Sequence, residues 1–104
     1  MTDWPNDDDG EVLAALEADG FDFALDHEVE YMVDFPSWPP AGEAITALAK
    51  FGETESFEPD EIDGYVVVTI RQKVSYETVT GTQRQLSAAA GPFGGNCEAW
   101  GVMH

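Results

Sequence analysis

The side chains able to do chemistry are few: His27, His104, Cys97 and the carboxylates, among which Asp7, Asp8 and Asp9 stand in succession. A nucleophilic cysteine needs a lowered pKa, supplied by a nearby His or Lys or by a helix N-terminus, whereas Cys97 falls in an expected strand beside Glu98. It reads as an inert structural thiol. His27 adjoins Glu28 and Glu30, yet neighbouring residues of a strand point to opposite faces, so His27 and Glu28 cannot readily share a metal ion. His27 reads as a strand-end surface residue and His104 as a terminal one. Placing Gly10 at the sixth position of a calcium loop puts Pro5 and Leu16 where an Asp and a bidentate Glu are required. Gly91-Pro92 and Gly94-Gly95 lack the flanking Lys or helix start of a phosphate loop. The residues specify no cofactor, no metal and no catalytic constellation.

Attention therefore moves to charge. The 104 residues carry 21 acidic and 4 basic side chains, a formal net charge of −17, and Lys50 is the first basic one. A field of that sign repels phosphate backbones and anionic membrane surfaces, and it speeds encounter with basic partners. Direct nucleic-acid or membrane binding is excluded on this ground, while solubility alone remains a competing reason for the acidity. With 43% apolar and 12% aromatic residues, the chain has material for one core and one domain spanning 1–104. A single cysteine allows no internal disulfide, and the absence of a basic and apolar leader or of a long apolar run gives the expectation of a cytoplasmic protein.

The elements that must carry these charges follow from periodicity. Asp8-Asp9-Gly10-Glu11 has the acid-x-x-Glu spacing of a helix start, with Val12, Leu13 and Leu16 as its apolar stripe and Gly20 as its end. Residues 27–35 alternate with period two: Val29, Tyr31, Val33 and Phe35 against Glu28, Glu30, Met32 and Asp34. After "PSWPP" a second helix is expected over 41–51, with Ile45, Leu48 and Ala49 inward. A short acidic strand over 53–58, a turn near Asp63-Gly64 and an apolar strand over 65–72 come next. Ser75 can cap a third helix presenting Tyr76, Val79, Gln83, Leu86 and Ala90, despite Gly81 inside it. The last strand, 96–103, would place Cys97, Ala99, Gly101 and Met103 on one side and Glu98, Trp100 and Val102 on the other.

That order, a helix followed by β-α-β-β-α-β, specifies an α+β fold: a ferredoxin-like antiparallel sheet ordered 4-1-3-2, helices on one face, and an additional N-terminal helix. The first helix could pack on an edge or on the open side. If the registers hold, Glu28, Glu30, Met32 and Asp34, with Tyr65, Val67, Thr69 and Arg71, and with Glu98, Trp100 and Val102, share the uncovered face. Apolar anchors inside an acidic rim suit a basic polypeptide segment.

The stretches "DDDGEVLAALEADGFDF", "HEVEYMVDF" and "GNCEAWGVMH" together resemble the protein B type of regulator of ribonuclease E activity, a family of small acidic ribonuclease E inhibitors. The resemblance implies a noncatalytic cytoplasmic protein that binds ribonuclease E by protein–protein contact and lowers its cleavage of RNA. Enterobacterial members have a longer first helix and continue into an acidic tail after the Trp-Gly pair, where this sequence reaches His104, so the likeness carries the fold further than the partner. The residues expected to contact a partner are Asp7, Asp8, Asp9, Glu11, Glu28, Glu30, Asp34, Glu98 and Trp100. Two rivals stand beside this reading. One is a small-molecule or metal-dependent enzyme on a ferredoxin-like dimer, its pocket lined by Tyr31, Tyr65 and Trp100; the other is a nucleic-acid mimic aimed at a different basic protein. An exposed sheet edge would also allow a homo-oligomer.

Overall fold

Alternation in the first strand and a run of β-branched residues in the third fix the centre of the molecule. The computed structural model describes residues 4–59 and 64–102, apart from the side chain of Glu98. The elements are α1 (Asp8–Ala18), β1 (Asp26–Phe35), α2 (Gly42–Ala49), β2 (Glu53–Phe57), β3 (Gly64–Lys73), α3 (Tyr76–Ala90), a 3-10 turn (Gly91–Phe93) and β4 (Asn96–Val102). The strands form one antiparallel sheet in the order β2-β3-β1-β4, the ferredoxin-like order expected. Asp63 of the expected turn, Met103 and His104 lie outside the described residues, as does the side chain of Glu98.

Val29, Tyr31, Val33 and Phe35 of β1 are all buried, as their spacing requires, and Val66 and Val68 of β3 join them. Against this face pack Leu13 and Leu16 of α1, Ala44 and Leu48 of α2, and Val79, Leu86 and Ala90 of α3. Each buried Val, Leu or Phe among these contributes about 1.5–3 kcal/mol when fully buried. All three helices therefore sit on one side of the sheet. Three inward assignments differ from periodicity: Val12 is exposed, Ala44 replaces the exposed Ala49 in the α2 contact, and Thr82 is buried between the half-buried Tyr76 and Gln83 of α3. Short helices seated on a twisted sheet bury a narrower stripe than an idealised helical wheel suggests.

The start of α1 shows how local chemistry and packing combine. Asp7, one residue earlier than the spacing predicts, is the cap: its backbone is extended, and its Oδ1 accepts from the Gly10 N–H at 2.8 Å. Asp8 is then the first helical residue, where its charge favours the positive end of the helix dipole. Gly10 occupies the third helical position because the entering chain folds back over it; a Cβ there would lie 1.8 Å from the Pro5 carbonyl oxygen. The helix ends as expected, with Gly20 at φ +81°, its N–H bonded to the Glu17 carbonyl and the Phe21 N–H to that of Leu16. At α3, Ser75 Oγ accepts from the Thr78 N–H at 3.1 Å, confirming that cap.

Two glycines should respond oppositely to an added methyl. Gly10→Ala drives a Cβ into the Pro5 carbonyl and should cost about 1–3 kcal/mol. Gly81→Ala, inside α3 with nothing within 4 Å of its Cβ position, should add up to about 1 kcal/mol. Urea unfolding checks both; an unchanged midpoint for Gly10→Ala would refute the close crossing at Pro5.

Candidate functional site

The face of the sheet turned away from the helices is built from the alternate residues of four strands. Directly opposed residues of an antiparallel pair share a face, so the registers give rows running across the strands. Phe57, Tyr65 and Asp34 form one row; Glu55, Val67, Met32 and Ala99 form the next; Glu53, Thr69, Glu30 and Gly101 form a third. Below them Arg71 opposes Glu28 and Lys73 opposes Asp26. The core residues of β1 and β3 carry the helices on the other side, and no described helix covers these rows.

The composition of this face is an apolar seam flanked by carboxylates. Met32 is half-buried and Val67 is 8% exposed, so the seam is closed by its lateral neighbours. Phe57 stacks on Tyr65 with ring centroids 4.9 Å apart and 13° between planes, and Phe57 remains 36% exposed at the sheet edge. Glu53 and Glu55 are exposed along one flank, with Glu28 and Glu30 on β1. Arg71 and Lys73 are two of the chain's four basic residues and stand at one end of the face. Residues 53–57, "ETESF", carried a period-two signal that could have placed Glu53 and Glu55 here; β2's register with β3 was the missing link.

The β4 contribution differs from expectation. The β1–β4 register shifts between Met32 and Val33: Tyr31 opposes Trp100 and Met32 opposes Ala99, whereas Val33 opposes Cys97. The extra residue in β4 is a bulge, so Cys97 and Trp100, three apart, both reach the helical side. Trp100 and Val102 therefore leave the open face, and Ala99 and Gly101 take their places. Tyr31 is buried as well, and Tyr65 lies on the opposite face, so the three residues of the expected enzyme pocket do not converge. Burial, the main cause, pushes the Tyr31 hydroxyl up to about 12. That hydroxyl donates to Gln72 Oε1.

Trp100 is instead part of the attachment of α1. Its Nε1–H donates to Asp9 Oδ1 at 2.7 Å, and the Gln83 side-chain amide donates to the same oxygen at 3.2 Å. Asp7 Oδ2 accepts from the Tyr76 hydroxyl at 2.6 Å. Two of the three successive aspartates thus tie α1 to α3 and β4, while Asp8 and Glu11 are exposed on the helical side. The structure groups Glu28, Glu30 and Asp34 on the open face and separates them from Asp7, Asp8, Asp9 and Glu11 at the start of α1. His27 donates through Nε2–H to the Asp22 carbonyl at 2.8 Å, with its ring centroid 4.2 Å from that of Phe21. Among the described residues no three of His, Cys, Asp and Glu converge as metal ligands, and no helix is long and apolar enough to cross a membrane.

Residues 6–102 match a family model described as Regulator of ribonuclease activity B. No curated protein and no solved structure matches the chain.

The Asp7–Tyr76 bond holds the Asp7 carboxyl below 3.8 and raises the Tyr76 hydroxyl above 10.0. A depressed carboxyl pKa contributes stability that is present above 3.8 and lost as pH falls through the folded value; a raised phenol pKa contributes stability that is lost as pH rises beyond 10.0. The stability difference between the protein and Tyr76→Phe should therefore be largest near neutrality and shrink at both extremes, as pH-dependent urea midpoints would show. Asp9→Ala strips the partner from a buried indole, which should cost about 1–3 kcal/mol and red-shift tryptophan emission. Unchanged emission would mean that Asp9 does not hold Trp100.

Proposed function

Because the chain belongs to the Regulator of ribonuclease activity B family, we propose that it regulates a ribonuclease E-type endoribonuclease in the cytoplasm by binding it, without catalysing a reaction of its own. A basic, RNA-binding segment of the nuclease is the counterpart, and its occupation lowers RNA cleavage. The observation that carries this reading is the uncovered sheet face, where Glu28, Glu30, Asp34, Glu53 and Glu55 surround Met32, Val67 and the Phe57–Tyr65 pair.

The physical argument is complementarity. Carboxylates in adjacent rows repel one another, and a cationic segment laid across them relieves that repulsion while the apolar seam supplies contact area. RNA would meet the same charges as an added repulsion. Asp8 and Glu11, on the helical side, add to the long-range field that draws a basic partner in; Asp7, Asp9 and Trp100 act by holding α1 in place. The backbone of Glu98 belongs to β4, next to the open face.

Binding of the purified nuclease and its cleavage of a single-stranded RNA test the proposal together. Increasing protein should slow cleavage, and the pair Glu30→Lys with Glu55→Lys should weaken binding about tenfold at moderate salt and accelerate dissociation. Asp8→Lys with Glu11→Lys should mainly slow association, an effect that fades as salt rises. Inhibition that survives the sheet-face pair unchanged would refute this assignment of the surface.

A further inference from the structure

We propose that the free edge of β2 accepts an extended basic segment as a fifth strand, so that the partner is held by backbone hydrogen bonds as well as by charge. The inference rests on the partner-binding reading above and specifies how the segment docks.

The sheet has two edges, β2 and β4. β4 is interrupted by its bulge, which breaks the regular spacing that a new ladder needs. β2 is the better template. Its five residues run in unbroken register against β3, from Glu53 opposite Thr69 to Phe57 opposite Tyr65, and its outer backbone edge faces no other described strand. Four of the five side chains are exposed and Thr54 is half-buried. Within β2 there is no proline or bulge, so its short edge is guarded only by the charges of Glu53 and Glu55, which a basic segment neutralises.

The charges on this edge choose the occupant. Glu53 and Glu55 lie in the rows that continue through Thr69 to Glu30 and through Val67 to Met32. A strand added to β2 would set its alternate side chains in those same rows. Basic side chains there meet Glu53 and Glu55, and a third lays its aliphatic stem on Phe57 where that ring stacks on Tyr65, while the intervening small apolar side chains fall beside Thr54 and Ser56 on the other face. The contact length is that of the five residues of β2, about 17 Å. A second copy of this chain pairing edge to edge would bring its own Glu53 and Glu55 alongside these, and like charges placed so destabilise the pairing. The edge thus rejects itself and favours a segment of alternating basic and small apolar residues. At the Glu53 end, a notch of about 330 Å³ lined by Glu28, Phe51, Glu53, Thr69, Ile70 and Arg71 leaves room for a side chain that overhangs the end of the strand.

The test uses the whole protein and a synthetic seven-residue peptide alternating Val with Lys and Arg, followed by amide hydrogen exchange. Strand addition predicts that alternate amides within residues 53–57 slow by about tenfold or more at saturating peptide, and that the same peptide methylated at its backbone nitrogens binds at least about tenfold more weakly despite unchanged charge. Binding with no slowing in β2, with slowing along β4 instead, or with equal affinity for the methylated peptide overturns strand addition while leaving docking on the sheet face intact. No binding of either peptide at low salt overturns both.

Discussion

One extra residue in β4 governs how this molecule divides into two sides. The bulge turns Trp100 beneath the helices, where its indole N–H finds Asp9. That bond is costly to leave unmade, because an indole donor withdrawn from water loses about 1–3 kcal/mol without an acceptor. Asp9 in turn takes the Gln83 amide, and Asp7 takes the Tyr76 hydroxyl. Together with Leu13 and Leu16, these contacts commit α1 to the layer already occupied by α2 and α3. A helix that could have covered the open side of the sheet is thereby used elsewhere.

The consequence is a division between the faces. The helical side holds the buried tyrosine, the cysteine and the indole in a packed interior, whereas the other side presents rows of carboxylates about a closed apolar seam. Nothing in the core requires Glu28, Glu30, Glu53 and Glu55 to be acidic; threonine or lysine in some of these places would ease the sheet's own electrostatics. β3, between the two acidic strands, offsets only one end of the face with Arg71 and Lys73, so keeping Glu30, Glu53 and Glu55 acidic on either side of it makes physical sense if the remaining neutralising charge arrives on another molecule. The family to which the chain belongs, regulators of ribonuclease activity, supplies a class of such molecules, since proteins that handle RNA carry basic surfaces.

Much of the architecture could be read along the chain. β1 obeys period two at every position, so Val29, Tyr31, Val33 and Phe35 turned inward as expected. Gly20 adopts the left-handed conformation that ends α1, and Ser75 caps α3, because both are local devices that depend on only a few neighbouring residues. The element order then left the ferredoxin-like sheet as the arrangement. The same reasoning failed at Trp100, since strict alternation through β4 has no term for an inserted residue. It placed the α1 cap at Asp8 because the fold-back of Pro5 over Gly10 is a contact between chain segments, which no spacing rule contains. Glu53 and Glu55 were visible as charges, but joined the open face only once β2 paired with β3.

Composition and periodicity by themselves determined the acidity, the strand and helix order, and the burial of β1, since these depend on residue type and on interactions within one element. Tertiary structure alone decided which carboxylates act as internal acceptors and which stay on the surface. Asp9 and Trp100 are 91 residues apart, and their meeting depends on where the bulge falls and on which layer receives α1. Identical side chains in one acidic run were thereby given different tasks, because a carboxylate's role is set by the donors that folding brings within hydrogen-bonding distance.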